Sequence, residues 1–329
     1  MHVVCAMDKF RGTLTAAEAV AAAAAGVRDA VWEVTTDEIP LADGGEGFLD
    51  VLGGPNRTTM VTGPLGEPVE AQWRASRRAA VIEMARASGL LIAGGAEGND
   101  PIGATTAGTG ELIAEAVVTG SKRVLLGVGG SATTDGGLGA IRALEPHARL
   151  KGVDIVVACD VRTRFVDAAT VFGPQKGASA AQVELLRRRL ERLAQVYESD
   201  FGVDVREVPG AGAAGGLAGG LHALGAELVN GFDVIVDELD LDETIAAADL
   251  VITGEGRVDE GSFDGKAVGG VAELAAETGV PVLVVAGVVD PEVSDRLPTL
   301  SLAELYGGEA ALTQAGDLVR QAVADHLRS

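Results

Sequence analysis

Residues 124–141 constrain the fold more than any other stretch: Val-Leu-Leu-Gly-Val-Gly-Gly-Ser-Ala-Thr-Thr-Asp-Gly-Gly-Leu-Gly-Ala-Ile. A short apolar run, Val124 to Val128, breaks at Gly129-Gly130, presents Ser131, Thr133, Thr134 and Asp135, and gives way to a helical pattern through Leu138, Ile141 and Leu144. A buried strand that ends in glycines and hydroxyls before a helix points backbone N–H groups and O–H donors at a concave mouth suited to an anion. Alone, the run also fits an ordinary strand-to-helix turn with an Asx or Thr cap. Recurrence shifts the balance. Val3 to Met7 is followed by Asp8-Lys-Phe-Arg11, Val31 to Ile39 by Asp43-Gly-Gly-Glu46, and Asp249 to Thr253 by Gly254-Glu-Gly-Arg-Val-Asp259 with Lys266 beyond.

Strands alternating with helices imply a doubly wound α/β sheet, whose ligands gather at the carboxyl edge. Helices are expected from Thr13 or Thr15 to about Val27, from Thr106 to Val118, from Gln182 to Tyr197 and from Lys266 to Thr278. Between residues 57 and 85 the period changes. Arg57–Thr62, Pro68–Arg74 and Ala79–Ala85 read as short strands joined by Gly63-Pro-Leu-Gly66 and Ser76-Arg77-Arg78, an antiparallel meander. The βα rhythm returns at Asp249. The expected organisation is therefore a domain of residues 1–56 and 206–329, interrupted by a second α/β domain with a mixed sheet over 57–205.

The arginine run 187–189 with Arg192 falls on the solvated face of the helix whose apolar stripe is Val183, Leu186, Leu190, Leu193 and Tyr197. Gly210, Gly212 and Gly215 match a dinucleotide turn in spacing, but the segment before them is short, charged and closed by Pro209. A helix start packed closely against a neighbour fits better.

Composition removes several function classes. With 26 Lys and Arg against 48 Asp and Glu, the net charge is -22, which repels nucleic acid and anionic membranes. The two cysteines, Cys5 and Cys159, lie in apolar runs and read as buried thiols of a reducing compartment, so a cytoplasmic protein is expected. No apolar run approaches the length of a membrane span. No Walker sequence is present, since Glu260 stands where its first glycine belongs and Ala267 follows Gly265-Lys266. Glycines with Lys or Arg suit phosphate oxygens, and spaced carboxylates suit Mg²⁺. Phosphoryl transfer needs those parts and little covalent chemistry. The residues alone reach a phosphate-handling α/β enzyme.

The chain resembles the bacterial type I glycerate kinase family from end to end. Matching stretches are Pro40-Leu-Ala-Asp-Gly-Gly-Glu-Gly, Val61-Thr-Gly-Pro-Leu-Gly, Gly108-Thr-Gly-Glu-Leu-Ile, Gly127-Val-Gly-Gly-Ser-Ala-Thr-Thr-Asp-Gly-Gly, Ala158-Cys-Asp-Val, Val171-Phe-Gly-Pro-Gln-Lys-Gly-Ala, Pro209-Gly-Ala-Gly-Ala-Ala-Gly-Gly and Val251-Ile-Thr-Gly-Glu-Gly-Arg-Val-Asp. The resemblance implies a flavodoxin-like domain interrupted by a second α/β domain. It implies phosphorylation of D-glycerate by ATP with Mg²⁺, usually at the 2-hydroxyl, in an interdomain cleft. On that reading Asp8, Arg11, Asp43, Lys176 and Lys266 carry catalysis. Lys9, Gly44, Gly45, Glu46, Gly129, Gly130, Ser131, Thr133, Gly254, Glu255, Gly256, Arg257 and Asp259 bind substrate or ATP. Asp43 and Asp135 hold the metal, and the N–H groups of Gly129 to Thr133 and Gly254 to Gly256 meet phosphate oxygens. The partner is a small hydroxy acid, and the oligomeric state stays open.

Departures bear on the acceptor pocket. The family's Ala-Pro-Asp-Ser-Phe-Lys-Gly is Ala6-Met-Asp-Lys-Phe-Arg-Gly12 here, with Lys9 for a serine and Arg11 for a lysine. Guanidinium is not equivalent to ammonium at a phosphate contact. Ala107 stands where Tyr or Arg is frequent, and the segments after Leu144 and after Val161 are shortened. These changes leave open a kinase redirected to another small hydroxy acid, or a non-catalytic paralog binding nucleotide or metabolite. Retention of Asp43, Glu46, Asp135, Lys176, Glu255 and Asp259 favours an enzyme.

Overall fold

The computed structural model of the chain describes residues 1–77, 79–263 and 265–329. Arg78, in the second turn of the expected meander, and Asp264 lie outside the described residues. The strands are β1 (His2–Met7), β2 (Thr35–Pro40), β3 (Arg57–Thr62), β4 (Pro68–Ala75), β5 (Ala79–Glu83), β6 (Arg123–Gly127), β7 (Asp154–Ala158), β8 (Glu227–Val229), β9 (Leu250–Val258), β10 (Val282–Val289) and β11 (Thr299–Ser301). Two compact units result, residues 1–43 with 232–329 and residues 44–231. Sequence reading put the junctions at 56/57 and 205/206. Among the described residues no helix is long and apolar enough to cross a membrane.

The first unit carries a parallel sheet in the order β2-β1-β9-β10-β11. Renumbered within the unit this is 2-1-3-4-5, the flavodoxin-like order, with its switch point between β1 and β9. Residues Val3 to Met7 of β1 are all buried, as a strand covered on both faces requires. Val3, Cys5, Met7 and Val285 pack on one face with Val20, Val27, Val319 and Val323 from the helices Ala16–Ala30 and Ala315–Arg328. Val284 and Ala286 face the other side with Val268 of the helix Ala267–Thr278. The helix after β1 starts where Thr15 predicted it should. Thr15 Oγ1 accepts from the Glu18 amide at 3.2 Å, and the Glu18 carboxylate accepts from the Thr15 amide at 2.8 Å, a reciprocal cap.

The second unit carries a mixed sheet, β3-β4-β5-β6-β7-β8. Its first two pairings are antiparallel and the others parallel, as the meander and the later βα rhythm predict. Trp73, Ile82, Leu112, Leu126, Val157 and Leu217 belong to one core. A further cluster forms where Leu186, Leu190 and Tyr197 meet Phe165. The helix expected at Gln182–Tyr197 runs longer, Ala180–Phe201, because Ser179 and Gln182 form a capping box and Gly202, at φ 74, closes the other end.

Three differences from the sequence reading have local causes. β2 begins at Thr35 rather than Val31, because Glu33 sits at φ 56 and breaks the extended run. β9 does not stop at Thr253 but continues to Val258, paired to β10 through Val258↔Val289. The short strands β8 and β11, three residues each, carry no alternation long enough to read.

Candidate active site

In the first unit the carboxyl ends of β1 and β9 adjoin at the switch point. Asp8 follows β1 directly, and its amide donates to the Gly254 carbonyl at 2.9 Å. The residue is only 6% exposed. Its Oδ1 accepts from the Lys9 amide at 2.6 Å and lies 3.4 Å from Lys9 Nζ. Burial pushes the Asp8 carboxyl above its ordinary range; Lys9 opposes this and the Asp43 carboxylate adds to it. For Lys9, burial disfavours the charge, but the carboxylates of Asp8 and Asp43 outweigh it and hold the ammonium above its ordinary value.

Glu255 completes this cluster. Its Oε1 is buried and has no hydrogen-bond partner among the described residues. Burial pushes its carboxyl up to about 7, helped by the charges of Asp8 and Asp259 and opposed by Ser262 and Lys266. A carboxylate that titrates near neutrality, with one oxygen unclaimed, has the property a general base needs. Lys266 precedes the helix Ala267–Thr278 in extended conformation. Asp8, Lys9 and Asp43 thus act on one another electrostatically, and Glu255 joins them through Asp8 and itself feels Lys266. Arg11 is exposed and enters only as a repulsion on Lys9.

Several neighbours have other employment. Gly254 and Gly256, expected to offer N–H groups from a loop, lie inside β9. A Cβ on Gly254 would stand 1.9 Å from the Val285 carbonyl oxygen, and one on Gly256 would stand 3.1 Å from the Arg11 amide. These glycines allow close backbone packing rather than forming an anion cradle. Arg257 pairs with Asp290 at 2.7 Å. Asp259 and Ser262 bond reciprocally, Asp259 N to Ser262 Oγ at 3.0 Å and Ser262 N to Asp259 Oδ1 at 3.2 Å, which shapes the turn after β9.

The second unit holds a cavity of about 260 Å³ at the carboxyl ends of β6 and β7, lined among others by Gly44, Gly129, Gly130, Ser131, Asp160 and Lys176. The glycines here also pack backbone against backbone. A Cβ on Gly44 would be 2.7 Å from the Ala158 carbonyl oxygen, and one on Gly129 would be 2.4 Å from Gly45 Cα. Gly45 thus packs against this wall, while Glu46 is exposed. Lys176 is 3% exposed. Its Nζ donates to Ser131 Oγ at 2.7 Å and to the Thr133 carbonyl at 2.6 Å. Burial pulls the ammonium down to about 7 against the attraction of Asp135. Thr133 is buried, and its Oγ1 donates to the Ala214 carbonyl at 3.4 Å.

The loop that mimics a dinucleotide turn packs here instead. Gly215, at φ +67, is so close to the Thr133 carbonyl that a Cβ would stand 1.9 Å from its oxygen. Sequence reading missed Asn99, whose Nδ2 donates to the carbonyls of Ala132 and Lys176 at 3.0 and 2.9 Å. Asn99-Asp-Pro reads only as a turn signal, so nothing in the sequence marked that tie.

Asp135, expected as a metal ligand, is a helix clamp. Its Oδ2 accepts from Thr106 N, Thr106 Oγ1 and Gly139 N at 2.9, 2.8 and 3.1 Å, and its Oδ1 accepts from Gly137 N at 3.0 Å. A carboxylate that already accepts four hydrogen bonds has little left to offer a cation. Among the described residues no three His, Cys, Asp or Glu side chains converge on a metal position. Mg²⁺ commonly takes only one or two carboxylates and completes its shell with water and phosphate. Asp8 and Asp43, each felt by Lys9 and by one another, fit that smaller demand.

A model of the glycerate kinase family matches residues 3–147 and 145–325. The chain belongs to that family. It is 40% identical over 331 residues to the glycerate 2-kinase of Escherichia coli (strain K12), covering 89% of this chain and 87% of that one. It is 39% identical over 323 residues to the glycerate kinase of Halalkalibacterium halodurans, covering 87% and 85%. Among solved structures, a protein assigned as glycerate kinase 2 from Salmonella typhimurium LT2 superposes with a TM-score of 0.83 at 35% identity, over 99% of this chain and 97% of that one. Membership of the glycerate kinase family makes the chain a kinase with the same two-sheet α/β architecture.

Proposed function

We propose that this glycerate kinase family member transfers the γ-phosphoryl group of ATP to the 2-hydroxyl of D-glycerate, in the cytoplasm, giving 2-phosphoglycerate and ADP. The acceptor and its position follow the relatives named glycerate kinase and glycerate 2-kinase. The observation that carries the chemistry is Glu255, a carboxylate with one buried oxygen unpartnered among the described residues, which titrates near neutrality under the influence of burial, Asp8 and Lys266. As the 2-hydroxyl oxygen forms its bond to the γ-phosphorus, the bond from that phosphorus to the β,γ-bridging oxygen breaks. The hydroxyl proton passes to Glu255, and the electron pair leaves with ADP.

Lys176, Ser131 and the Gly129-Gly130 backbone hold phosphate oxygens in the cavity of the second unit, whose volume suits phosphoryl groups rather than a whole nucleotide. Lys9 and Lys266 contribute positive charge in the first unit. Mg²⁺ bound with ATP would neutralise phosphate charge, and Asp8 and Asp43 would hold it. The buried free thiols of Cys5 and Cys159 agree with a reducing compartment.

The test is ADP release from Mg·ATP with D-glycerate, L-glycerate and other small 2-hydroxy acids, the product then being offered to enolase, which accepts only the 2-phosphate. Turnover on D-glycerate with direct enolase conversion is expected. Turnover confined to another acid would mean that Lys9 and the shortened segments have remade the acceptor pocket. Silence from folded protein that still binds ATP would overturn the kinase assignment.

A further inference from the structure

A second cavity of about 410 Å³ lies in the unit 44–231, and no residue lines both it and the Lys176 cavity. Its wall includes Thr134, Arg142, Arg189 and Arg192. Two of these arginines belong to the run that sequence reading left on a solvated helix face. Their neighbours behave as such a face should: Arg187 pairs with Glu184 and Glu191, and Arg188 pairs with Glu184. Arg142, Arg189 and Arg192 differ. Among the described residues none of the three is ion-paired with a carboxylate. Arg189 donates to the Ile102 carbonyl and Arg192 to Gln195. In a chain with 48 acidic against 26 basic residues, three guanidinium groups in one cavity that form no ion pair among the described residues mark an anion's place.

An independent observation supports this. Thr134 is 3% exposed, and its Oγ1 has no hydrogen-bond partner among the described residues. A buried hydroxyl without a partner is costly, and Thr134 belongs to the wall of this cavity. Asp135 also lines this cavity, but its oxygens already accept the four hydrogen bonds described above, and its single negative charge stands against three guanidinium groups.

We propose that this cavity is an effector site for a small phosphomonoester. Guanidinium forks match phosphate oxygens bidentately, and the volume admits a phosphorylated molecule of a few carbons. The site communicates with the Lys176 cavity through a single peptide bond. Thr134 follows Thr133, whose carbonyl accepts Lys176 Nζ at 2.6 Å and packs against Gly215. A ligand drawing on Thr134 therefore acts on the seat of Lys176.

The experiment measures binding of inorganic phosphate and of 2-phosphoglycolate to the full chain by calorimetry, and the effect of each on the KM of ADP release. It compares wild type, Thr134→Val and the double variant Arg142→Gln/Arg192→Gln. A double Arg187→Gln/Arg188→Gln variant removes equal charge from the exposed pairs and serves as control. All three arginines of the cavity are exposed, so folding is not at stake. Binding that weakens by about tenfold or more in the cavity double variant, with loss of the KM effect and unchanged turnover without effector, is the expected result. Thr134→Val should weaken binding less, and the control should bind as wild type. Binding or a KM effect that persists in the cavity variant, is equally lost in the control, is absent from wild type, or appears with malonate but not phosphate would overturn the proposal. The calorimetric arm needs no turnover, so its failure is separable from a failure of the kinase assignment.

Discussion

Glu255→Gln should lose activity and gain stability, and both effects have the same origin. The side chain keeps its shape, but the charge that burial resists is gone. The ordinary glutamate value is 4.5 and the folded one is about 7. Between those values the folded chain holds a proton that the unfolded chain has released, so stability falls as pH rises through the window and stays low above it. The displacement makes the ionised carboxylate cost about 1 kcal/mol at about pH 5 and about 3 kcal/mol at about pH 8. Urea titrations should find the variant and wild type nearly equal near the acid end, and the variant more stable by about that larger amount at the alkaline end. Meanwhile kcat/KM should drop by a factor of about 10² to 10⁴, the range for loss of a general base. The wild-type profile should show an acid limb centred near 7, which the variant lacks. An acid limb that survives in Glu255→Gln, or stability curves that run parallel across the pH range, would refute both the role and the reasoning behind it.

Three further outcomes follow from the same geometry. Binding of a phosphate-bearing ligand at about pH 8 should draw up about one proton as Lys176, poised at about 7, becomes fully charged beside it; calorimetry in buffers of differing ionisation enthalpy reads this, and Lys176→Met should abolish it. Asp135→Asn turns one acceptor towards several donors and should cost about 2–4 kcal/mol in a denaturant titration, while the Mg²⁺ dependence of the remaining activity stays that of wild type. A shifted Mg²⁺ dependence would restore Asp135 as a ligand. Gly215→Ala combines a φ of +67 with a Cβ 1.9 Å from the Thr133 oxygen and should cost at least about 2 kcal/mol. It should also weaken phosphate binding, because the displaced carbonyl is an acceptor of Lys176; stability and affinity that both match wild type would dismiss that contact.

The alternation of buried strand and amphipathic helix was legible because each element declares itself locally. Thr15 with Glu18 and Ser179 with Gln182 spell out helix starts, and the uninterrupted Val3–Met7 spells a strand covered on both faces. Asp8 and Asp43 follow strands of one sheet, as their sequence positions suggest, whereas Glu255 lies inside β9, which runs past the point where its apolar run ends. What could not be read was which glycine serves which purpose. Gly129 and Gly254 each follow an apolar run and precede polar residues, yet one walls a cavity and the other sits inside a strand. The difference lies in the neighbour: Gly254 faces the Val285 carbonyl of β10, some thirty residues away in sequence, and no local pattern contains that approach. Lys176 was visible as a cation, but its burial, and so its depressed affinity for a proton, depends on Ser131, Thr133 and Asn99 from distant stretches.

The run Ser131-Ala-Thr-Thr-Asp135 shows why hydroxyl-rich loops resist assignment residue by residue. Ser131 and the Thr133 carbonyl turn to Lys176; Ala132 is fully buried; Thr134 and Asp135 turn to the arginine-lined cavity. Asp135 must also fix the starts of the helices Ala107–Val118 and Leu138–Ala143, through Thr106 and Gly139, for either face to be held. A loop clamped at one end by four hydrogen bonds and pressed from behind by Gly215 can shift only as a unit. Whatever engages Thr134 must therefore move the acceptors of Lys176 or be resisted by them. On the proposal above, that coupling is the route by which an anion held by Arg142, Arg189 and Arg192 would reach Lys176.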